Sequence, residues 1–98
     1  MRRAAKIDAN QPAVVSALRA AGAVVHSLAA VGNGMPDLLV AYAGRTLLME
    51  VKDGSKTPSQ QALRDKQTAF HQAWIGGPLS TVNSPEAALR MLNVLEAG

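Results

Sequence analysis

Cysteine is absent from this chain, and aromatic residues and long apolar runs are scarce. Without cysteine, disulfides, cysteine-ligated zinc sites and thiol redox chemistry are excluded. A single Tyr, Phe and Trp are too few for a row of base-stacking platforms, which argues against a single-strand binding module. No apolar run approaches membrane-spanning length, and no signal-peptide stretch follows the basic N-terminus. We therefore expect a cytoplasmic protein with no membrane partner.

The length and composition are those of one small domain. We predict a single domain over residues 1–98, with residues 1–8 as a flexible basic N-terminus. Apolar residues make up 48% of the chain, so the core must be built from Ala, Val and Leu. The net charge of +3 is modest, and its basic clusters either contact phosphates or form an ordinary solvated surface.

The apolar periodicity predicts one helix, three strands, a helix, a strand and a final helix. Asn10 is expected to cap the first helix, with Pro12 in its first turn and Gly22 after its end. The strands are predicted at residues 23–28, 38–42, 46–52 and 79–82, and the later helices at 60–74 and from 84 onward. The second and third strands are apolar on both faces, which predicts a three-layer α/β/α sandwich around a mixed four-stranded sheet.

Two carboxylates and a lysine lie on the two central strands. Ala43, Gly44 and Arg45 separate these strands, and a glycine there supplies the positive φ of a tight hairpin. Counting outward from a two-residue loop places Asp37 opposite Glu50, with Cβ atoms about 4.5 to 5.5 Å apart. A three-residue loop would make them diagonal neighbours. Glu50 and Lys52 are two residues apart, so their side chains share one face of the sheet.

This set of side chains is suited to phosphodiester hydrolysis. Mg²⁺ and Mn²⁺ prefer oxygen ligands and keep several waters, so Asp37, Glu50 and substrate oxygens suffice to bind one ion. The ion would polarise the phosphoryl group and lower the pKa of a bound water. Lys52 would stabilise the negative charge of the transition state. A structural salt bridge between Glu50 and Lys52 is the alternative interpretation, because a carboxylate in an apolar strand needs a partner.

The segments GNGMPDLLV (residues 32–40) and LMEVKDG (residues 48–54) resemble the PD-(D/E)XK nuclease superfamily, in particular its VRR-NUC branch. The resemblance covers residues 8–92 and implies a restriction-endonuclease-like fold. It also implies that Asp37, Glu50 and the Val51 backbone carbonyl bind Mg²⁺ or Mn²⁺, and that Lys52 is catalytic. The segment QTAFHQAW (residues 67–74) resembles the next helix of the family, which makes Gln67 a further catalytic candidate.

The resemblance further implies an endonuclease acting on duplex or branched DNA, including four-way junctions, as a homodimer of the small phage and prophage type. The family often has a glutamate in the first helix, where this chain has the neutral Gln11 after Asn10. The number of bound metal ions, one or two, therefore remains open. His26 and His71 are expected to lie outside the chemistry, with substrate contact by His71 as the alternative. Glycine and basic residues near the motif are candidate DNA contacts: Gly34, Lys56, Arg64 and Lys66.

Two other functions fit the same residues. A catalytically silent DNA-binding or recombination accessory module would keep the fold without the chemistry. A protein-interaction domain would use Asp37, Glu50 and Lys52 only as a salt-bridge cluster. Metal binding by the carboxylates distinguishes the nuclease from both alternatives.

Overall fold

The computed structural model describes residues 10–97 and contains a four-stranded sheet in the order β1-β2-β3-β4. β1 pairs antiparallel with β2, β2 antiparallel with β3, and β3 parallel with β4. The expected α/β fold with a mixed four-stranded sheet is therefore confirmed. The predicted flexible segment at residues 1–8 lies outside the described residues. The strands are Val24–Ser27 (β1), Leu38–Tyr42 (β2), Arg45–Val51 (β3) and Leu79–Val82 (β4).

Four helices accompany the sheet: Gln11–Ala20 (α1), Pro58–Gln61 (α2), Asp65–Ala73 (α3) and Pro85–Ala97 (α4). The prediction of one helix over residues 60–74 is wrong, because Ala62 has extended backbone angles (φ −62, ψ 149) and separates α2 from α3. Each of these two short helices begins with its own capping interaction. Thr57 forms a capping box with Gln60 before α2, and the Gln67 side chain accepts a hydrogen bond from the Arg64 backbone N–H before α3. Among residues 10–97, every helix is too short or too polar to cross a bilayer.

The β2–β3 hairpin has the register predicted from its turn. Tyr42 pairs with Arg45, and the pairing continues to Leu38 opposite Met49. Both turn residues have positive φ, 54° at Ala43 and 75° at Gly44, as a two-residue hairpin loop requires. The next step of the same register sets Asp37, just before β2, against Glu50.

The main core lies on one face of the sheet. α1 and α4 contact each other, and both pack on this face. Because side chains alternate along a strand, Leu48, Glu50 and Lys52 face the opposite side. The catalytic candidates thus lie on the face away from α1 and α4. The buried strand residues of the core are Val25, Leu38, Val40, Leu47, Met49, Val51 and Val82.

Asn10 precedes α1, but its side chain makes no capping hydrogen bond, which corrects the prediction. Its backbone is already helical (φ −77, ψ −18), whereas capping by the side chain requires extended angles. The amide nitrogen instead donates to the carbonyl oxygens of Lys52 at 3.0 Å and Asn83 at 2.8 Å. Asn10 therefore fixes the start of α1 to the chain leaving β3 and β4.

Candidate active site

Glu50 is a buried carboxylate near the end of β3, with only 2% of its surface exposed. Burial and, next, the negative charge of Asp37 raise the pKa of Glu50 from 4.5 to about 7, and the Lys52 ammonium opposes this rise. Oε1 of Glu50 is buried and has no hydrogen-bond partner among residues 10–97. A buried carboxylate oxygen without a donor is energetically costly and is a ready ligand for a cation.

Asp37 lies beside Glu50 and is held by the backbone of β3. Its Oδ2 accepts a hydrogen bond from the Val51 N–H at 2.7 Å. Val51 belongs to the parallel β3–β4 ladder, in which the next N–H, that of Lys52, donates to Val82, so the Val51 N–H is turned away from β4 and toward Asp37. Two of the groups expected to bind metal, the Asp37 and Glu50 carboxylates, therefore lie side by side, next to the Val51 backbone N–H.

Gln67 of α3 links the acidic and basic groups of the site. Its Nε2 donates to Glu50 Oε2 at 2.7 Å, and its Oε1 accepts from Lys52 Nζ at 3.0 Å. Lys52 Nζ also lies 3.4 Å from Glu50 Oε2, and the lysine side chain is only 12% exposed. Of the predicted site residues, Asp37, Glu50, Lys52 and Gln67 are thus brought together.

The residues present fit a hard divalent cation such as Mg²⁺ or Mn²⁺. Two adjacent carboxylates, one with an unpartnered buried oxygen, supply the negative oxygen ligands that these ions prefer. No group of three or more His, Cys, Asp or Glu side chains in the described part of the chain could hold a metal. The remaining ligands would be the Val51 carbonyl, water and substrate oxygens. Gln11 is buried (5% exposed) with an unpartnered Oε1, but its amide carries no negative charge for a second ion.

A cleft of about 480 Å³ opens beside Asp37 and Gln67. One wall is the glycine-rich loop before β2, and the other is the start of α3. Arg64 and Lys66 flank Asp65 on the second wall, so this wall has a net charge of +1, which favours an anionic ligand. Lys56 is exposed in the loop after β3 and, unlike Gly34, Arg64 and Lys66, does not line the cleft. The full lining is Ala29, Gly32, Gly34, Met35, Asp37, Arg64, Asp65, Lys66 and Gln67.

Gly34 allows the loop and α3 to approach each other closely. Its φ is +81°, and an added Cβ would fall on the carbonyl oxygen of Lys66. We expect Gly34→Ala to displace the start of α3 and lower the free energy of unfolding by about 2 kcal/mol or more. The matched control is Gly32→Ala, where φ is +74° but nothing lies within 4 Å of the added Cβ. Urea denaturation of both variants measures the difference, and equal losses would contradict the close approach.

His71, which was expected to lie outside the chemistry, is near enough to Lys52 for the lysine charge to act on it. The ring is partly buried, and its Nε2 has no hydrogen-bond partner among residues 10–97. Burial and, second, the positive charge of Lys52 lower the pKa of His71. The four-residue spacing from Gln67 was the available signal, since residues i and i+4 share a helix face.

Neither the protein-family models nor the curated proteins nor the solved structures contain a match to this chain. The geometry of the site combines two adjacent carboxylates, a shielded lysine and an adjoining cleft that carries Arg64 and Lys66. That combination can bind a cation and an anionic ligand side by side.

Proposed function

We propose that this chain is a metal-dependent endonuclease of the VRR-NUC type that hydrolyses DNA phosphodiester bonds. The observation that carries the proposal is the buried Glu50 carboxyl, with a raised pKa and an unpartnered oxygen, next to Asp37 at a cleft with basic residues. Without a cation, this arrangement is energetically unfavourable. Carboxylates with strongly shifted pKa values in a cleft are typical of functional sites.

Each residue has a distinct role in the proposed reaction. Asp37, Glu50 and the Val51 carbonyl hold Mg²⁺ or Mn²⁺, which when bound polarises the phosphoryl group and lowers the pKa of water. Lys52 places its positive charge where the phosphate gains negative charge. Gln67 holds the Lys52 and Glu50 head groups in fixed positions. Gly34, Arg64 and Lys66 are proposed DNA contacts lining the cleft.

The proposal includes the restriction-endonuclease-like three-layer arrangement. It is supported by α3, whose Gln67 contacts Glu50 on the face away from α1 and α4. A symmetric homodimer is the proposed active form, because one chain has one site and a duplex has two strands. Four-way junctions, which are near two-fold symmetric, are the proposed substrates, and the cytoplasm is the proposed location.

A cleavage assay tests the function directly. Purified protein is incubated with linear and four-way junction DNA, labelled on opposite strands, in Mn²⁺ with and without chelator. We expect metal-dependent cleavage of the junction, and no cleavage by Glu50→Gln at matched concentration. A protein that binds these DNAs but never cuts them would instead be the accessory module.

We expect Mn²⁺ to raise the melting temperature of the protein. A cation that binds only the folded state stabilises it by about 2.7 kcal/mol at a hundred times its dissociation constant. Thermal unfolding is followed during a Mn²⁺ titration, with Asp37→Asn as the control that loses a charged ligand and should lose the shift. A wild-type midpoint that is unchanged at millimolar Mn²⁺ would contradict the metal site.

One observation favours a second candidate, the protein-interaction domain. Lys52 is already paired with Glu50 at 3.4 Å and with Gln67 at 3.0 Å, as in a purely structural polar cluster. In that case the ion pair would stabilise the fold. The effect of neutralising Glu50 on stability separates the two candidates.

A further inference from the structure

The Lys52 ammonium has three hydrogens to donate, and the structure accounts for two acceptors. These are Gln67 Oε1, in a hydrogen bond of 3.0 Å, and Glu50 Oε2, in an ion pair at 3.4 Å. The lysine side chain is only 12% exposed, so water has limited access to the third hydrogen. A charged group this shielded is most stable when all of its hydrogens find acceptors.

His71 offers a suitable acceptor on the neighbouring turn of α3. Gln67 and His71 are four residues apart, so both side chains lie on the helix face that carries Gln67 to Glu50 and Lys52. The Nε2 of His71 is buried and has no hydrogen-bond partner among residues 10–97. An unpaired buried nitrogen and a lysine with a spare hydrogen thus lie on the same side of the sheet.

The electrostatics agree with this pairing. Burial and the nearby Lys52 charge both lower the pKa of His71, which keeps the imidazole neutral at neutral pH. A neutral imidazole has one nitrogen that accepts a hydrogen bond. The structure itself does not show this hydrogen bond, and the flexible four-carbon lysine stem allows the ammonium to turn toward Nε2.

We propose that His71 is a positioning residue for Lys52, with its Nε2 accepting the third hydrogen of the lysine ammonium. Three acceptors, from Glu50, Gln67 and His71, then define a single place for the positive charge. The contact itself depends only on these side chains, whereas its effect on cleavage rests on the proposed nuclease function. Loss of the contact should reduce the stabilisation of the transition state and leave the binding of DNA in the ground state unchanged.

Nuclear magnetic resonance tests the contact independently of any cleavage. The ¹⁵N chemical shifts of the His71 ring identify which nitrogen lacks a proton and whether it accepts a hydrogen bond. We expect an unprotonated Nε2 whose shift moves in Lys52→Met and stays unchanged in Lys66→Met, which removes a lysine from the cleft wall. A protonated Nε2, or a ¹⁵N chemical shift that is unchanged in Lys52→Met, would overturn the proposal.

Cleavage kinetics test the consequence. His71→Leu keeps the bulk and removes the acceptor, and His71→Gln keeps an acceptor near the Nε2 position. We expect His71→Leu to lower kcat about tenfold with KM unchanged, as for loss of one hydrogen bond to a charged group, and His71→Gln to recover most of kcat. Gln72→Leu, at an exposed position of the same helix, is the control.

The ring nitrogen shifts and the cleavage kinetics together distinguish failure of the His71 contact from failure of the nuclease proposal. If His71→Leu cleaves as fast as the wild type, or His71→Gln is no better than His71→Leu, the positioning role is overturned. If the wild-type protein cuts no DNA while Nε2 still responds to Lys52→Met, the contact is supported and the nuclease proposal fails. If His71→Leu does not fold, His71→Gln and the ring nitrogen shifts decide.

Discussion

Lys52→Met is expected to lower the rate of DNA cleavage by about a hundredfold or more, the usual effect of losing one preorganised electrostatic group. Methionine keeps the length and most of the volume of the side chain but removes its charge. The lysine is 12% exposed and is held by Gln67 at 3.0 Å, so no other group readily takes its place. Rates are measured with saturating labelled junction DNA in Mn²⁺, so that kcat is read directly.

The control for Lys52→Met is Arg90→Met. Arg90 is exposed on α4, on the opposite face of the sheet, and its replacement removes the same single positive charge. A similar loss in both variants would mean that net charge, and not the position of Lys52, governs the rate. Asp37→Asn and Glu50→Gln should also abolish cleavage, through loss of cation affinity. A Glu50→Gln variant that cleaves at the wild-type rate would remove the basis of the nuclease proposal.

Glu50→Gln is expected to stabilise the metal-free protein at pH 8 while abolishing its activity. The pKa of Glu50 is raised from 4.5 to about 7, which corresponds to about 3 kcal/mol of unfavourable interaction with the ionised carboxylate. Glutamine has the same shape without the charge, so it removes the burial cost and the repulsion from Asp37. The melting temperature in chelator should rise on the order of 10 °C for a domain of this size.

The pH dependence of this gain has a definite direction. Between pH 4.5 and about 7 the unfolded chain releases the Glu50 proton while the folded chain keeps it. Because the folded state binds more protons there, wild-type stability falls as pH rises through this window and levels off above it. The advantage of Glu50→Gln should therefore be near zero at pH 4 and complete at pH 8.

A structural salt bridge predicts the opposite result. If Glu50 served mainly to pair with Lys52, its neutralisation would leave a shielded ammonium without a counterion and lower stability. The matched control is Glu86→Gln on α4, an exposed carboxylate whose replacement should change stability by less than about 0.5 kcal/mol at either pH. A loss of stability in Glu50→Gln at pH 8 would favour the protein-interaction domain.

Local sequence signals were sufficient for the hairpin and its functional groups. The sequence left a two-residue and a three-residue loop open, and the structure has the two-residue loop, whose register sets Asp37 against Glu50 by counting. The period of two then places Lys52 on the same face as Glu50. These relations span few residues and depend on backbone geometry, which is why they could be predicted.

Of the features that failed or were missed, the helix break depends on local capping interactions, and the others depend on contacts between distant segments. The break at Ala62 was missed because apolar spacing continues through it, while the capping interactions of Thr57 and Gln67 divide the helix. Nothing in the local pattern indicates that Asn10 bonds to Lys52 and Asn83 instead of capping α1. The raised pKa of Glu50 likewise depends on burial that only the assembled fold provides.

None of the α3 residues is fully buried, and the core closes between the sheet, α1 and α4 without them. The helix that carries Gln67 and borders the cleft is therefore separable from the part of the protein that determines folding. Mutations at exposed α3 positions, away from Gln67 and His71, should therefore cost little global stability, which leaves these positions free to vary. Relatives with a new ligand preference should differ mostly at these exposed positions, and libraries for altered specificity are best confined to residues 64–74 with Gln67 and His71 kept unchanged.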